Sequence, residues 1–284
     1  MSVLHRHRPD EEAQGGPRRR HRRWPWVVLA TVVVLVGGVA LFTWIRHNPA
    51  KPVDVNQATG RYHSSGLTGP TDRRPPPGVY VYTGSGTDRL TVPSLSQRAG
   101  PTMPVTVTLT GSNCWTMRVD YSTHHWQTWD FCLSGGKLEQ TGGHLWMLWQ
   151  VGPLNITNET SLRCSPPLLV VPAGMSPGQS WPVGCSGTST AVKGVMNSSG
   201  TTRYLGDVTI QVGGKDVVTH HLVETRTDTG SQRGTERYET WVAVDTGLPM
   251  RMVQDIQVKT STPFGDSTYT QSSTLGLSDL QPRS

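Results

Sequence analysis

From Gly78 to the C-terminus the apolar residues recur at every second position rather than every third or fourth, and Val, Thr, Tyr and Trp are frequent. A pleated strand sends alternate side chains to opposite faces, so this pattern commits the chain to sheets with one buried face. The segments Val79–Thr83, Val105–Thr110, Trp115–Tyr121, Trp126–Cys132, Val208–Val212, Val217–Thr227, Tyr238–Val244 and Leu248–Thr260 alternate or run apolar between Gly, Pro, Asn and Asp turn signals. No long helical pattern interrupts them. Residues 78–284 read as one antiparallel all-β domain, a size within the range for a single sheet-based unit.

Two hairpins can be placed by register. With Ser122, Thr123 and His124 as a turn, residues whose numbers sum to 246 face each other, so Cys114 falls opposite Cys132, Trp115 opposite Phe131 and Met117 opposite Trp129. One face is then aromatic, the other carries Thr116, Arg118, Thr128 and Asp130, and a disulfide closes the base. A slip of one residue loses every match. The second hairpin joins Tyr238–Val244 to Leu248–Val258 through Asp245, Thr246 and Gly247, where glycine supplies the positive φ of a three-residue loop. Tyr238, Val242, Val244, Leu248, Met250, Met252, Ile256 and Val258 share one parity and line its buried face. Trp241 and Arg251 point the other way, placed to stack. Gly213 and Gly214 make a two-residue turn.

Ahead of the domain, residues 24–45 carry no charge and follow Arg18, Arg19, Arg20, Arg22 and Arg23. A helix of that length reaches roughly 33 Å, enough to cross a bilayer core. The arginine bias predicts a single-pass membrane anchor with residues 1–23 as a cytoplasmic tail and everything after Ile45 extracytoplasmic. The run exceeds a signal-peptide core, and no cysteine precedes Cys114 to carry a lipid. Residues 46–77, rich in Pro and Gly, read as an extended linker.

The net charge of +6 sits outside the domain, because residues 78–284 hold 14 Lys and Arg against 15 Asp and Glu. That excludes a broad basic field for nucleic acid. Four cysteines beyond the anchor predict two disulfides, Cys114 with Cys132 by register and Cys164 with Cys185 around a Pro-rich excursion. No C-x-x-C, H-E-x-x-H, G-x-S-x-G or nucleotide-binding glycine loop is present, so no metal, cofactor or catalytic residue is assigned. The pairs His124/His125 and His220/His221 point to opposite strand faces, with His124 expected in solvent. Trp115 and Trp129 belong in the core. Trp126 and Trp241, with Arg251, fall on the other face and are the candidate ligand or partner contacts.

The stretch Trp241-Val-Ala-Val-Asp245-Thr-Gly247-Leu-Pro249-Met-Arg251 resembles the strand-turn-strand signature of envelope proteins with a LolA-like or LppX-like half-barrel. The Arg-flanked anchor, Pro-rich spacer, Gly78-Val-Tyr-Val-Tyr82 opening strand and four cysteines are similar to uncharacterised single-pass envelope proteins of actinobacteria. The first resemblance implies a curved, half-barrel-like antiparallel sheet wrapped around lipid or lipid-like chains. The expectation is a membrane-tethered extracytoplasmic binding module for a lipid, glycolipid or envelope protein partner, without catalysis. The alternatives are an envelope assembly protein touching cell-wall glycan or another membrane protein through Trp126 and Trp241, and a hydrolase whose site leaves no motif.

Overall fold

The computed structural model describes residues 29, 31–38, 49–63, 74–151, 154–171, 174, 176–262 and 265–283. The chain divides into two compact units, Met1–Arg46 and His47–Ser284. In the first, residues 31–38 are helical. Among the described residues no helix is long and apolar enough to cross a membrane, and most of the span read over 24–45 lies outside them.

Among its described residues the second unit is all β apart from one short helix. Its strands are β1 (Gly78–Leu90), β2 (Leu95–Ala99), β3 (Thr102–Leu109), β4 (Cys114–Ser122), β5 (His125–Ser134), β6 (Lys137–Val151), β7 (Leu154–Val171), β8 (Ser180–Ser189), β9 (Val192–Val212), β10 (Lys215–Gly230), β11 (Arg233–Ala243), β12 (Pro249–Thr262) and β13 (Gly265–Leu277). From β3 to β13 each strand pairs with the next. The half-barrel expectation is corrected here, because β1 also pairs with β13 over nine residue pairs, from Tyr82–Leu277 to Leu90–Tyr269. That pairing closes the sheet into a barrel of twelve strands. β2 follows β3 along the far half of β1 and adds no separate stave. Closure removes the two unpaired edges a half-barrel would expose.

Two contacts show how the seam is made. A Cβ on Gly84 would stand 1.9 Å from the Thr274 carbonyl oxygen, so only glycine lets β13 come this near. Inside the seam, the buried Tyr82 hydroxyl donates to the Pro249 carbonyl, reaching from β1 past β13 to β12.

The β4–β5 register follows the predicted sum through Asp120–Trp126, with Cys114 opposite Cys132. It then shifts, so that Ser122 pairs with His125 and the turn is Thr123–His124. The extra residue in β4 moves both histidines out of solvent: His124 is 4% exposed and His125 fully buried, against the expectation for His124. In the second hairpin Gly247 has φ 69°, as the loop demands. Val244 departs from the predicted buried face, because the register shifts between Trp241 and Val242, β11 ends at Ala243, and Val244 is 44% exposed.

The stretch read as an extended linker carries the short helix Val55–Arg61, capped by the Asp54 carboxylate accepting from the Asn56 amide. It packs against β1 and β3, with Val53 and Ala58 buried. Arg61 pairs with the buried Asp120 at 3.1 Å, which also holds Arg118. Seven helical residues are too few to leave a periodic signature, and tertiary packing supplies their stability.

Eight strands enclose little more than their own side chains, and a closed twelve-strand wall encloses more. Tyr80, Tyr82, Met103, Trp115 and Met117 pack one side of the interior into a continuous core. The other side is not filled.

Candidate functional site

The unfilled side is a cavity of about 750 Å³ inside the barrel. Small-molecule sites run from about 300 to 1,000 Å³. One wall is apolar and comes from β5, β6 and β7, whose alternate residues Trp129, Phe131, Met147, Trp149 and Leu168 are all buried. The opposite wall is mixed: Met252, Ile256 and Val258 of β12 stand beside Thr202, Glu224, Arg226, Glu236 and Tyr238 of β9 to β11.

Neighbouring strands alternate in direction, so the β1–β2, β4–β5 and β6–β7 turns share one end of the barrel. At that end the cavity is lined by Val92, Leu154 and Ile156, which are 40%, 63% and 47% exposed. Large apolar side chains held out to solvent around an apolar hollow mark its mouth. The N-terminal segment joins at the same end, since Thr123 donates its amide to the Lys51 carbonyl at 2.8 Å and accepts the Lys51 amide at 3.1 Å. A second hollow, of about 840 Å³, is lined mainly by Thr and Arg side chains such as Thr87, Thr227 and Arg89, and shares Arg226 and Glu236 with the first.

The mixed wall carries the charge. Arg226 pairs with Glu224, whose second oxygen accepts from the Thr202 hydroxyl at 2.8 Å. Burial by itself would lower the Arg226 pKa, but Glu224 and the phenol and carboxyl of Tyr238 and Glu236 hold it up. Glu236 accepts from the Tyr238 hydroxyl at 3.0 Å. Burial, reinforced by the Asp228 charge, pushes Glu236 up to about 7. Behind this wall, lining neither hollow, Asp228 is 2% exposed and its pKa is raised, first by burial, with the Ser198 hydroxyl and Glu236 acting against the rise.

A second buried polar network runs beside this one. Asp88 accepts from His125 Nδ1 at 2.9 Å, from the Tyr269 hydroxyl at 3.0 Å and from Gln97 at 3.4 Å. Gln254 Oε1 takes the hydroxyls of Tyr121 and Ser273 and the amide of Gln271. A histidine and a carboxylate therefore meet, as a hydrolase would need, but neither Asp88 nor His125 lines the cavity. No three His, Cys, Asp or Glu side chains among the described residues gather to hold a metal ion.

The residues picked from sequence lie outside the cavity. Trp241 and Arg251 face each other across β11 and β12, with the guanidinium 4.8 Å from the ring centroid, as the parity required. On the other flank, from β10, His221 stacks on the same indole at 4.4 Å. Trp126 is held the same way, with Arg118 from β4 at 4.2 Å and His144 from β6 stacked at 5.2 Å. Both indoles thus have cross-strand partners on either side. The cysteines form two disulfides, Cys114–Cys132 and Cys164–Cys185, with no free thiol. Such bonds persist in oxidising, extracytoplasmic compartments.

Sequence reading passed over Glu224, Arg226, Asp228 and Glu236 because they look like ordinary surface charges. The facing of Glu224, Arg226 and Asp228 depends on the β9–β10 register, which shifts between His221 and Leu222, whereas Glu236 on β11 shares the parity of Tyr238 and could have been placed from it. Along β10 the buried residues are Val217 and Thr219, then Leu222, Arg226 and Asp228. Read at one parity throughout, Arg226 would face solvent.

Fold and site together define a closed antiparallel β-barrel with an interior cavity. No family model matches the chain, and no curated protein sequence does. Among solved structures it is similar to the hypothetical lipoprotein YmcC from Escherichia coli K12, at 12% identity and a TM-score of 0.32, over 67% of this chain and 86% of that one.

Proposed function

We propose that the barrel is an extracytoplasmic binding module that holds the hydrocarbon part of an envelope lipid or glycolipid, tethered to the membrane by the apolar segment at residues 24–45 and without catalytic chemistry of its own. The observation that carries this reading is the cavity of about 750 Å³ faced by Trp129, Phe131, Met147 and Trp149. Side chains of that size ordinarily pack to crystal-like density, and a hollow this large beside them forfeits dispersion contacts that an apolar guest restores. The exposed rim of Val92, Leu154 and Ile156 gives such a guest a route in that need not cross a polar surface.

The assembly alternative relied on open indole faces. Displacing Arg251 and His221 from Trp241, or Arg118 and His144 from Trp126, would cost the contacts that now hold those rings. Native mass spectrometry of the full chain released from membranes tests the binding reading. A mass increment from co-purifying lipid, lost when Met147→Trp fills the cavity, is expected; protein of bare mass under conditions that keep other lipid complexes intact would refute it.

A further inference from the structure

The apolar wall of the cavity contains a polar side chain whose buried oxygen the protein leaves without a partner. Gln127 stands on β5 between the inward positions His125 and Trp129, is 8% exposed, and lines the cavity. Its Oε1 is shielded from solvent and accepts no hydrogen bond. Other residues hold buried atoms without partners, His125 Nε2 and Gln254 Nε2 among them. Among the described residues Gln127 alone combines such an atom with a place on the wall of either hollow.

The other large polar side chains around the cavity are bonded within the protein. Gln140 donates to the Gly142 carbonyl at 3.2 Å, Gln271 to Gln254 at 3.1 Å, and the Tyr238 and Tyr269 hydroxyls to Glu236 and Asp88 at 3.0 Å each. Water is a poor substitute at Gln127. The register sets Val119 and Leu145 on either side of it, with His125 and Trp129 next along its own strand and Met147 diagonal to it. A buried water is held by about two to four polar partners, and of these neighbours only His125 is polar. An acceptor left unmet in such a setting destabilises the fold, whereas a leucine of similar bulk would not. A bound donor removes that penalty.

We propose that Gln127 is the polar anchor of the cavity, and that its Oε1 accepts a hydrogen bond from a neutral O–H or N–H of a hydroxylated or amide-linked amphiphile whose hydrocarbon runs inward past Trp129 and Phe131. This deepens the lipid reading and rests on it. β5 leads inward from the mouth, so Gln127 is its first residue on the cavity wall, and Phe131 lies about 13 Å deeper. A donor at Gln127 therefore sits just inside the mouth, and the apolar chain occupies the deep half, where Phe131 and Leu168 are buried on either side of Gln140. A chain joined through an ester or ether oxygen offers only acceptors there and leaves Oε1 unmet. A charged donor would be desolvated among these apolar neighbours, so a neutral one fits.

The test uses the full chain in phosphatidylcholine nanodiscs and four photoreactive amphiphiles of one chain length, carrying a free hydroxyl, its methyl ether, a secondary amide or the matching ester. Labelling of the peptide containing Trp129 is read against probe concentration in the bilayer. At least one donor probe is expected to half-saturate at a concentration about tenfold below its donor-free counterpart, and which of them does so identifies the linkage. In Gln127→Leu that advantage is expected to fall to about twofold or less, with ether and ester labelling no weaker than in the unmodified protein. The comparison on the unmodified protein needs no variant to fold. Equal labelling within both pairs, or an advantage that survives Gln127→Leu, overturns the anchor and leaves the lipid reading standing. No cavity labelling by any probe overturns both.

Discussion

Asp88 on β1 and His125 on β5 meet inside the barrel, with Oδ2 and Nδ1 2.9 Å apart and both side chains almost wholly shielded from solvent. The two strands are not neighbours in the wall. The pair therefore ties the closing strand to a strand three places round the wall, and the stacking of Tyr121 on the imidazole at 4.6 Å fixes the ring.

Asp88→Ala removes the acceptor shared by His125, Tyr269 and Gln97 and leaves their donors buried. Orphaning such groups costs about 3 kcal/mol or more. Urea midpoints converted with a common slope should show a loss of that order. A change under about 0.5 kcal/mol, typical of exposed sites, would mean the network does not stabilise the fold.

The Cys164–Cys185 bond staples the shortest pairing in the wall. β7 and β8 share only Thr160–Ser189, Ser161–Thr188, Leu162–Gly187 and Arg163–Ser186, and the two cysteines occupy the next step of the same register. Replacing both by Ser should cost about 2 to 4 kcal/mol. Amide exchange should rise first along those eight residues. The Cys114–Cys132 bond closes a hairpin with a longer ladder, so its loss should leave that exchange unchanged.

Glu236 sets a pH dependence of definite sign. Its folded pKa of about 7 lies above its ordinary 4.5, so the folded protein keeps a proton that the unfolded chain has released. Its contribution is whole below about pH 4.5 and is lost as pH rises through 7. His124 acts oppositely, because burial lowers its pKa and its contribution is lost on acidification below about 6.5. Subtracting Glu236→Gln from the unmodified protein cancels that background. Between pH 4.5 and 8 the variant should gain on the order of 2 to 3 kcal/mol relative to the unmodified protein. A difference independent of pH would show that Glu236 is not held protonated.

Local pattern carried the sequence reading where both partners of a pair lay close in the chain. The register of β4 with β5, the Cys114–Cys132 disulfide, the Gly247 turn and the Trp241–Arg251 stack all follow from parity and turn chemistry within about twenty residues of one another, and Cys164–Cys185 follows as the remaining pair. β6 to β8 escaped because Gly, Ser, Thr, Asn and Pro dilute their alternation, as in Leu154–Val171. Closure of β1 on β13 joins residues nearly the length of the domain apart, and no local signal announces it. The site was hidden for another reason. A register shift beside Leu222 decides which face Glu224 and Arg226 occupy, and a one-residue change of that kind moves every later side chain to the opposite face.

An experimentally phased electron-density map of the protein purified from its own membranes is the most direct measurement. It should show β1 paired with β13 and an elongated feature lying against Trp129, Met147 and Met252, reaching out past Leu154. A closed wall with those side chains repacked into a filled interior, or β1 and β13 standing apart, would contradict it.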